Sequence, residues 1–571
     1  MSVFLEQLRD AVKPSLLINT EMQIWLANKF IDCQNSIDPI TIDPDAYFDV
    51  TQTADLEDPR SLLEACKASL NPDLIISNPP YGVKVVAGMH YDQVYDLQSD
   101  DSYGYFIYNA ILRLPEGRRL IFIISSSFLT IKSHFKLRKF ILENAKIIRI
   151  IKLHRATFPG IDIFPVIIEL EKAADISSRE NNYYQFYDLW QLHPVHHKEE
   201  LRKLYQFILS DLTAASKWAF DNKNIARYVN RQGIINSNKN LPIFDGSPSL
   251  FDFMDNVSDT NKVKLTLKNL QGIEQEFYCK EIRGIRIIPL GNDYEGNEFG
   301  TAKQGLIPPS VRDYYRICPG VKGGAVKGGY IHVDLAQALT IDDLVNLSGH
   351  DRRDGIEVND LSRDKFYLPI DKAGAADIEG KILKQYYSPV EYYVNWSKSA
   401  VLEMKSNPKG RFQNSNFYFQ RGISYSDTGI YSPTFRISFG SVFDQKASVI
   451  FNGHFSLYYL LGVLNAKLIK YFVKVFINHS VSAQVDSIKE IPIVIQKDEL
   501  TDKIEGKVSD IINSQRTNPN YDYYEAHKEI DALVYQLYNL TEDEIVEVES
   551  WYDRKYPKLR RDIDTTNLEE S

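Results

Sequence analysis

The stretch Leu74-Ile75-Ile76-Ser77-Asn78-Pro79-Pro80-Tyr81-Gly82 decides how this chain is read. Its apolar run predicts a short strand, and the strand has to stop at the prolines because each ring fixes φ and removes a backbone donor. What remains at the corner is a pair of fixed oxygen acceptors, the Asn78 side-chain carbonyl and the Pro79 main-chain carbonyl. One amino group can give a hydrogen to each. For an amine conjugated to an aromatic ring, those two bonds draw the nitrogen toward tetrahedral geometry and free its lone pair, so binding and activation use the same contacts. Pro80 stiffens the turn, and Tyr81 adds a flat face on which a ring can stack.

Outward from this corner, Asp101-Ser102-Tyr103-Gly104-Tyr105-Phe106 opens an amphipathic segment through Leu114, and Pro115-Glu116-Gly117-Arg118-Arg119 reads as a turn. A strand is predicted over 120–124, ending on Ser125-Ser126-Ser127-Phe128-Leu129. A basic helix over 132–144, a strand over 147–153, the corner Phe158-Pro159-Gly160 and a last apolar strand over 166–170 follow.

The segment from Asp73 to Gly82 resembles the (D/N/S)PP(Y/F) motif of amino-methyltransferases that use S-adenosylmethionine. The order of elements after it resembles the adenine-specific (N6) DNA methyltransferases of the TaqI-like and type II restriction-modification class. That resemblance implies an α/β fold, in which a Rossmann-like sheet carries the cofactor and the loops carry the base. It makes Asn78, Pro79, Pro80 and Tyr81 the catalytic corner, and puts Phe158 on the other face of a flipped adenine, opposite Tyr81. Flipping is a physical requirement, since the amino group of a stacked, paired base cannot reach a methyl donor in a closed pocket. For the cofactor the resemblance implies Asp55 near the adenine, Glu21 near the ribose hydroxyls, and Asn78 beside the methyl. One family element is missing. Residues 1–77 contain no glycine, whereas the family has a glycine-rich loop where backbone passes close to the cofactor. Phe4-Leu5-Glu6-Gln7-Leu8-Arg9 resembles the start of the helix after that loop, so the sheet is expected to be incomplete and the chain truncated before the loop. A partner polypeptide supplies the loop, or it is lost from this reading frame.

At 571 residues, with 44% hydrophobic and 25% charged residues, the chain is long enough for two or three domains with an ample core. It has no run of eighteen apolar residues and no basic-then-apolar N-terminus, so a cytoplasmic protein with no membrane partner is expected. Cys33, Cys66, Cys279 and Cys318 lie far apart, predicting reduced thiols and no metal site. A net charge of −10 argues against unspecific coating of nucleic acid, so contact with double-stranded DNA has to be local. Between Glu116 and Arg155 stand ten Lys or Arg against the two acids Glu116 and Glu143. Lys132, Lys136 and Lys139 are spaced to share one helical face and make a phosphate track.

Residues 1–173 are therefore expected to be the catalytic domain, 174–240 a helical linker, 241–499 a mixed α+β target-recognition domain and 500–571 a helical C-terminal tail. His193, His196 and His197 in the linker are assigned to surface and helix-cap roles, since no ligand-spaced partner accompanies them. From Tyr386 to Ile493 the succession resembles the target-recognition region of large restriction-modification and BREX-type enzymes, with a helix from Tyr458 to Phe472 and a strand at Ile491-Pro492-Ile493. Arg421, Ser424, Tyr425, Asn465, Lys467 and Gln484 are candidates there for groove or backbone contact, with Arg421 and Gln484 retained as DNA-binding residues. Three readings follow. The first is an N6-adenine DNA methyltransferase in restriction-modification or phage defence. The second is an inactive or partner-dependent DNA-specificity subunit. The third, an RNA or protein amino-methyltransferase, is disfavoured because such enzymes are usually compact. No PD…ExK arrangement is present, so any nuclease is on another chain.

Overall fold

The computed structural model describes residues 74–79, 97, 101, 103–158, 163–210 and 225–254, and then 262–268, 274–291, 297–300, 314–316, 355–356, 367–371, 378–379, 382–383, 385–389, 392–406, 415–426, 431–443, 447–452, 455–480, 482–495 and 498–559. Glu21, Asp55, Pro80 and Tyr81 lie outside the described residues. The chain forms two compact units, one up to Asn256 and one from Val257.

Among the described residues, the first unit is built on a six-stranded sheet. Its strands are β1 (Leu74–Ser77), β2 (Arg119–Ser125), β3 (Ala145–Lys152), β4 (Pro165–Lys172), β5 (Tyr183–Asp188) and β6 (Ala226–Arg231), in the order β1-β2-β4-β3-β5-β6. Pairs β1/β2 and β3/β5 are parallel, whereas β4 runs antiparallel to both β2 and β3. The parallel pair β1/β2 needs a crossover, and the long helix in it is α1 (Tyr103–Arg113). The turn expected after that helix is present, with Gly117 at φ +77°, a conformation only glycine adopts without steric cost. In β4 the first six residues are all buried, which is why its sequence shows no alternation. Each large apolar side chain sealed in this way contributes roughly 1.5–3 kcal/mol.

Two expectations need correction in this unit. The helix expected from Lys132 begins at Phe135: α2 is Phe135–Asn144, and Lys132–His134 is a separate 3₁₀ turn. Residues 174–240 are no linker. A short helix, Ile176–Glu180, leads into β5 and β6, which join the sheet. The Gln232 side chain acts there as a ladder rung, accepting from Ile147 N at 2.8 Å and donating to Ala145 O at 2.9 Å. It meets β3 where the register with β4 shifts between Ile147 and Arg149. Tyr-Tyr-Gln-Phe-Tyr in β5 carries the aromatic enrichment of a strand, a signal the expected helices masked. Helix α3 (Lys198–Ser210) is a second described helix of that segment.

The second unit combines three four-stranded sheets and a strand pair with a C-terminal helical bundle. Its helices include α4 (Leu457–Asn465), α5 (Lys467–Tyr471), α6 (Glu499–Thr517), α7 (Tyr524–Leu537) and α8 (Glu542–Lys555). The C-terminal region is helical as expected, and its helices pack into the core of this unit. A Cβ on Gly462 of α4 would lie 2.5 Å from the Ile504 side chain of α6, so glycine is what lets the two helices close. The helix expected from Tyr458 to Phe472 breaks at Ala466, whose ψ is 151°. The break is stabilised from outside: the Asp531 carboxylate on α7 accepts from Lys467 N at 2.9 Å and caps α5. Among the described residues no helix is long and apolar enough to cross a membrane.

Candidate active site

Asn78 and Pro79 sit directly beyond the carboxyl end of β1, with Asn78 exposed and Pro79 buried. In open α/β sheets, ligands bind outside the carboxyl ends of parallel strands. Ser77 pairs with Phe122, and β2 runs three residues further before it ends at Ser125. The corner therefore has β2 as a side wall, with Asn78 at its exposed rim.

The loop that closes β2 is braced by groups the sequence reading did not single out. The Tyr103 hydroxyl at the start of α1 is 3.1 Å from Ser127 Oγ and 3.1 Å from His134 Nε2. Arg138 of α2 is fully buried and donates to the carbonyls of Phe128 and Ile131, both at 2.7 Å, and to Asn240 O. Burial raises the Tyr103 hydroxyl above its usual range and, with the Arg138 charge, pushes the His134 imidazole down to about 4. Burial also lowers the Arg138 guanidinium to about 9, against the pull of Tyr103. The network is thus a neutral Tyr-His pair with one cation tied to carbonyls, and it fixes the shape of the strand end. The signal available in sequence was the Asp101-to-Phe106 segment, read only as a helix start.

Phe158 follows the 3₁₀ turn Arg155–Thr157 after β3. It is half-buried and packs on the cluster of Ile123, Ile151, Leu153 and Ile167, so its body belongs to the core while its place is at the carboxyl end of the sheet. The structure thereby brings Asn78, Pro79 and Phe158 to one end of one sheet.

The basic run is largely neutralised by residues distant in sequence. Glu169 and Glu171 of β4 take Arg119 at 3.0 and 3.1 Å, Arg149 at 2.6 Å and Lys146 at 3.2 Å. Lys139 lies 3.8 Å from Glu143 on its own helix. Lys132 and Lys139 are exposed and Lys136 is half-buried; the start of α2 at Phe135 takes Lys132 off its regular face. In the second unit Arg421 is exposed over the Phe439 ring, and Gln484 is exposed ahead of the short helix Val485–Ile488. Ser424, Tyr425, Asn465 and Lys467 are not groove residues. The first three are wholly buried, Asn465 bonds both main-chain groups of Phe435, and Lys467 pairs with Glu549 at 2.6 Å.

Lys152, at the end of β3, is buried 3.1 Å from Asp245. Burial alone would lower its ammonium, but Asp245 and Asp188 outweigh that and hold it above its usual value. Asp188 also accepts from Trp190 N, so the cluster anchors the loop after β5. Replacing Lys152 by Met leaves two buried carboxylates without their cation and is expected to cost about 3–5 kcal/mol. Urea unfolding measures it. The loss is largest where both acids are ionised and shrinks as pH falls, because protonation removes the uncompensated charge. An unchanged midpoint means that the pair contributes nothing.

Residues 10–158 match the Eco57I restriction-modification methylase family. The matched methylase segment holds the Asn78 corner, α1, β2, α2, β3 and Phe158, and covers roughly a quarter of the chain. No curated protein matches. Among solved structures, the type IIL restriction-modification enzyme MmeI bound to DNA is 11% identical at TM-score 0.43, covering 85% of this chain and 57% of its own. The type ISP enzyme LlaGI, with a DNA substrate mimic, is 13% identical at TM-score 0.39, covering 82% and 37%. A type I methyltransferase subunit from Streptococcus thermophilus is 18% identical at TM-score 0.23, covering 31% and 38%. The chain spans less than two thirds of the length of each of these structures. Among the described residues no group of three His, Cys, Asp or Glu is placed to hold a metal ion.

Proposed function

We propose that this chain is a DNA methyltransferase of a restriction-modification or phage-defence system, moving a methyl group from S-adenosylmethionine to the N6 amine of a flipped adenine. The observation that carries the reading is the Asn78-Pro79 corner at the carboxyl end of β1, inside the segment that matches the methylase family. S-adenosylmethionine, when bound, supplies a methyl group on a sulfonium. The corner suits that group: it is a rim position beside a parallel strand, with an exposed asparagine and no cation among the residues adjoining it in sequence. Asp55 and Glu21 are proposed to hold the cofactor's adenine and ribose.

In this reading the Asn78 side-chain oxygen and the Pro79 carbonyl accept the two amine hydrogens. The nitrogen lone pair is thereby aimed at the methyl, and no covalent enzyme intermediate forms. Tyr81 and Phe158 hold the base between two rings, and Pro80 keeps the corner rigid. No general base is needed, since the proton is acidic once the nitrogen is methylated and leaves to water. The second unit is proposed to read the DNA, with Arg421 and Gln484 as its exposed contacts and Lys132, Lys136 and Lys139 adding charge from the first unit. Dependence on a second polypeptide is part of the proposal.

Expression in a host lacking DNA methylation, followed by sequencing that detects modified bases, is expected to show N6-methyladenine at one fixed motif. Calorimetry of the purified chain is expected to show S-adenosylmethionine binding, alone or with the product of the adjacent upstream frame. Unmodified DNA together with silent titrations leaves the inactive DNA-specificity subunit as the reading.

A further inference from the structure

Of the ten basic residues between Glu116 and Arg155, Arg155 has no hydrogen bond or ion pair among the described residues. It is half-buried in the 3₁₀ turn that joins the end of β3 to Phe158, so a cation with no ion pair among the described residues stands at the same end of the sheet as Asn78. The residue before it, His154, sits among rings. His154 lies 4.9 Å from His193 and 6.2 Å from Trp190, centroid to centroid; Trp190 stacks on Phe164 at 4.7 Å, and His193 is 4.4 Å from the exposed His196. Phe164 is tied to the end of β2, since its carbonyl accepts from Ser126 N at 2.7 Å. Adjacent strands lie about 4.8 Å apart and rise about 3.3 Å per residue, which puts Phe164 on the order of 10–15 Å from Asn78.

The imidazoles are not a metal site. His154 Nδ1 accepts from Ala156 N, His193 Nδ1 from Val195 N and His197 Nδ1 from His193 N. Their protons therefore sit on Nε2, where a metal would have to bind. Burial, with the neighbouring His193 and Arg155, pushes His154 down to about 4, so it is a neutral ring at neutral pH. Flat rings beside a guanidinium that has no ion pair among the described residues match the chemistry of a nucleic-acid strand, which offers flat bases and acceptor phosphates together.

We propose that Arg155 grips a phosphate of the DNA strand that carries the target base, one or two nucleotides from the base presented to Asn78, with the rings of Trp190 and His193 beside that strand. The proposal rests on the methyltransferase reading for the position of the base, but its test does not depend on methyl transfer. The probe is a fluorescein-labelled 30-base-pair duplex of random sequence, titrated at several salt concentrations with the full chain carrying Asn78→Ala. Each phosphate contact contributes about 0.9 to the slope of log affinity against log salt. Arg155→Ala and Arg155→Gln are expected to lower that slope by about 0.9. Arg155→Lys is expected to keep it, and thermal melting confirms that each variant is folded. An unchanged slope in both neutral variants, or an equal drop in Arg155→Lys, overturns the proposal. Loss of host-DNA methylation bears on the methyltransferase reading alone, so the two failures are distinguishable.

Discussion

Asn78→Ala is expected to reduce methyl transfer by at least about 10²–10³-fold, the scale on which removal of one preorganised hydrogen-bonding partner acts. The side chain is exposed at the strand end, so its loss leaves no cavity and should hardly move stability. DNA affinity should stay within about twofold, since one amine contact adds little beside the phosphate contacts that dominate affinity. Asn78→Asp tests the chemistry more closely. It keeps an acceptor oxygen in the same place and exchanges the amide NH₂ for a second, charged acceptor oxygen, so it should retain more activity than the alanine variant. Single-turnover transfer of a labelled methyl group, with affinity measured separately, separates the outcomes. Full activity in Asn78→Ala would remove the corner from the mechanism.

Asp531→Leu is expected to destabilise the second unit by about 3–5 kcal/mol. Asp531 is almost wholly buried, caps α5 through Lys467 N, and lies 3.9 Å from Lys467 Nζ. Burial raises its carboxyl, against the pull of Lys467 and Lys470. Without it, two buried lysines face one another across a broken helix junction. Lys470 behaves in the opposite way. Burial, opposed by Asp531 and aided by Lys467, lowers its ammonium to about 7, although it donates to Asn465 O. Between pH 7 and 10.5 the unfolded chain therefore holds a proton that the folded chain has released, and the stability contribution rises with pH across that window. Lys467 is held above its usual value, because Asp531 and Glu549 outweigh its burial, and stays charged throughout. Lys470→Met should be neutral or stabilising by about 1–4 kcal/mol at neutral pH and should flatten the rise. Denaturant unfolding across that pH range checks both variants. A Lys470→Met protein with an unchanged pH slope would show that the ammonium is not the group responsible.

The sequence by itself determined the local chemistry. Leu-Ile-Ile followed by two prolines fixed a strand, its end and the two oxygens beyond it, because backbone sterics and apolar patterning act over a few residues. The helix at Tyr103–Arg113, the turn at Gly117 and the strands at Arg119–Ser125 and Pro165–Lys172 were legible for the same reason. Tertiary structure decided what depends on partners far along the chain. It recruited Tyr183–Asp188 and Ala226–Arg231 into the sheet, and it split the helix expected from Tyr458 to Phe472 with a carboxylate from α7. It also matched Arg119, Lys146 and Arg149 to the acids of β4. A charge count along the chain sees only neighbours in sequence, whereas an ion pair is formed by neighbours in space, and only the fold says which those are.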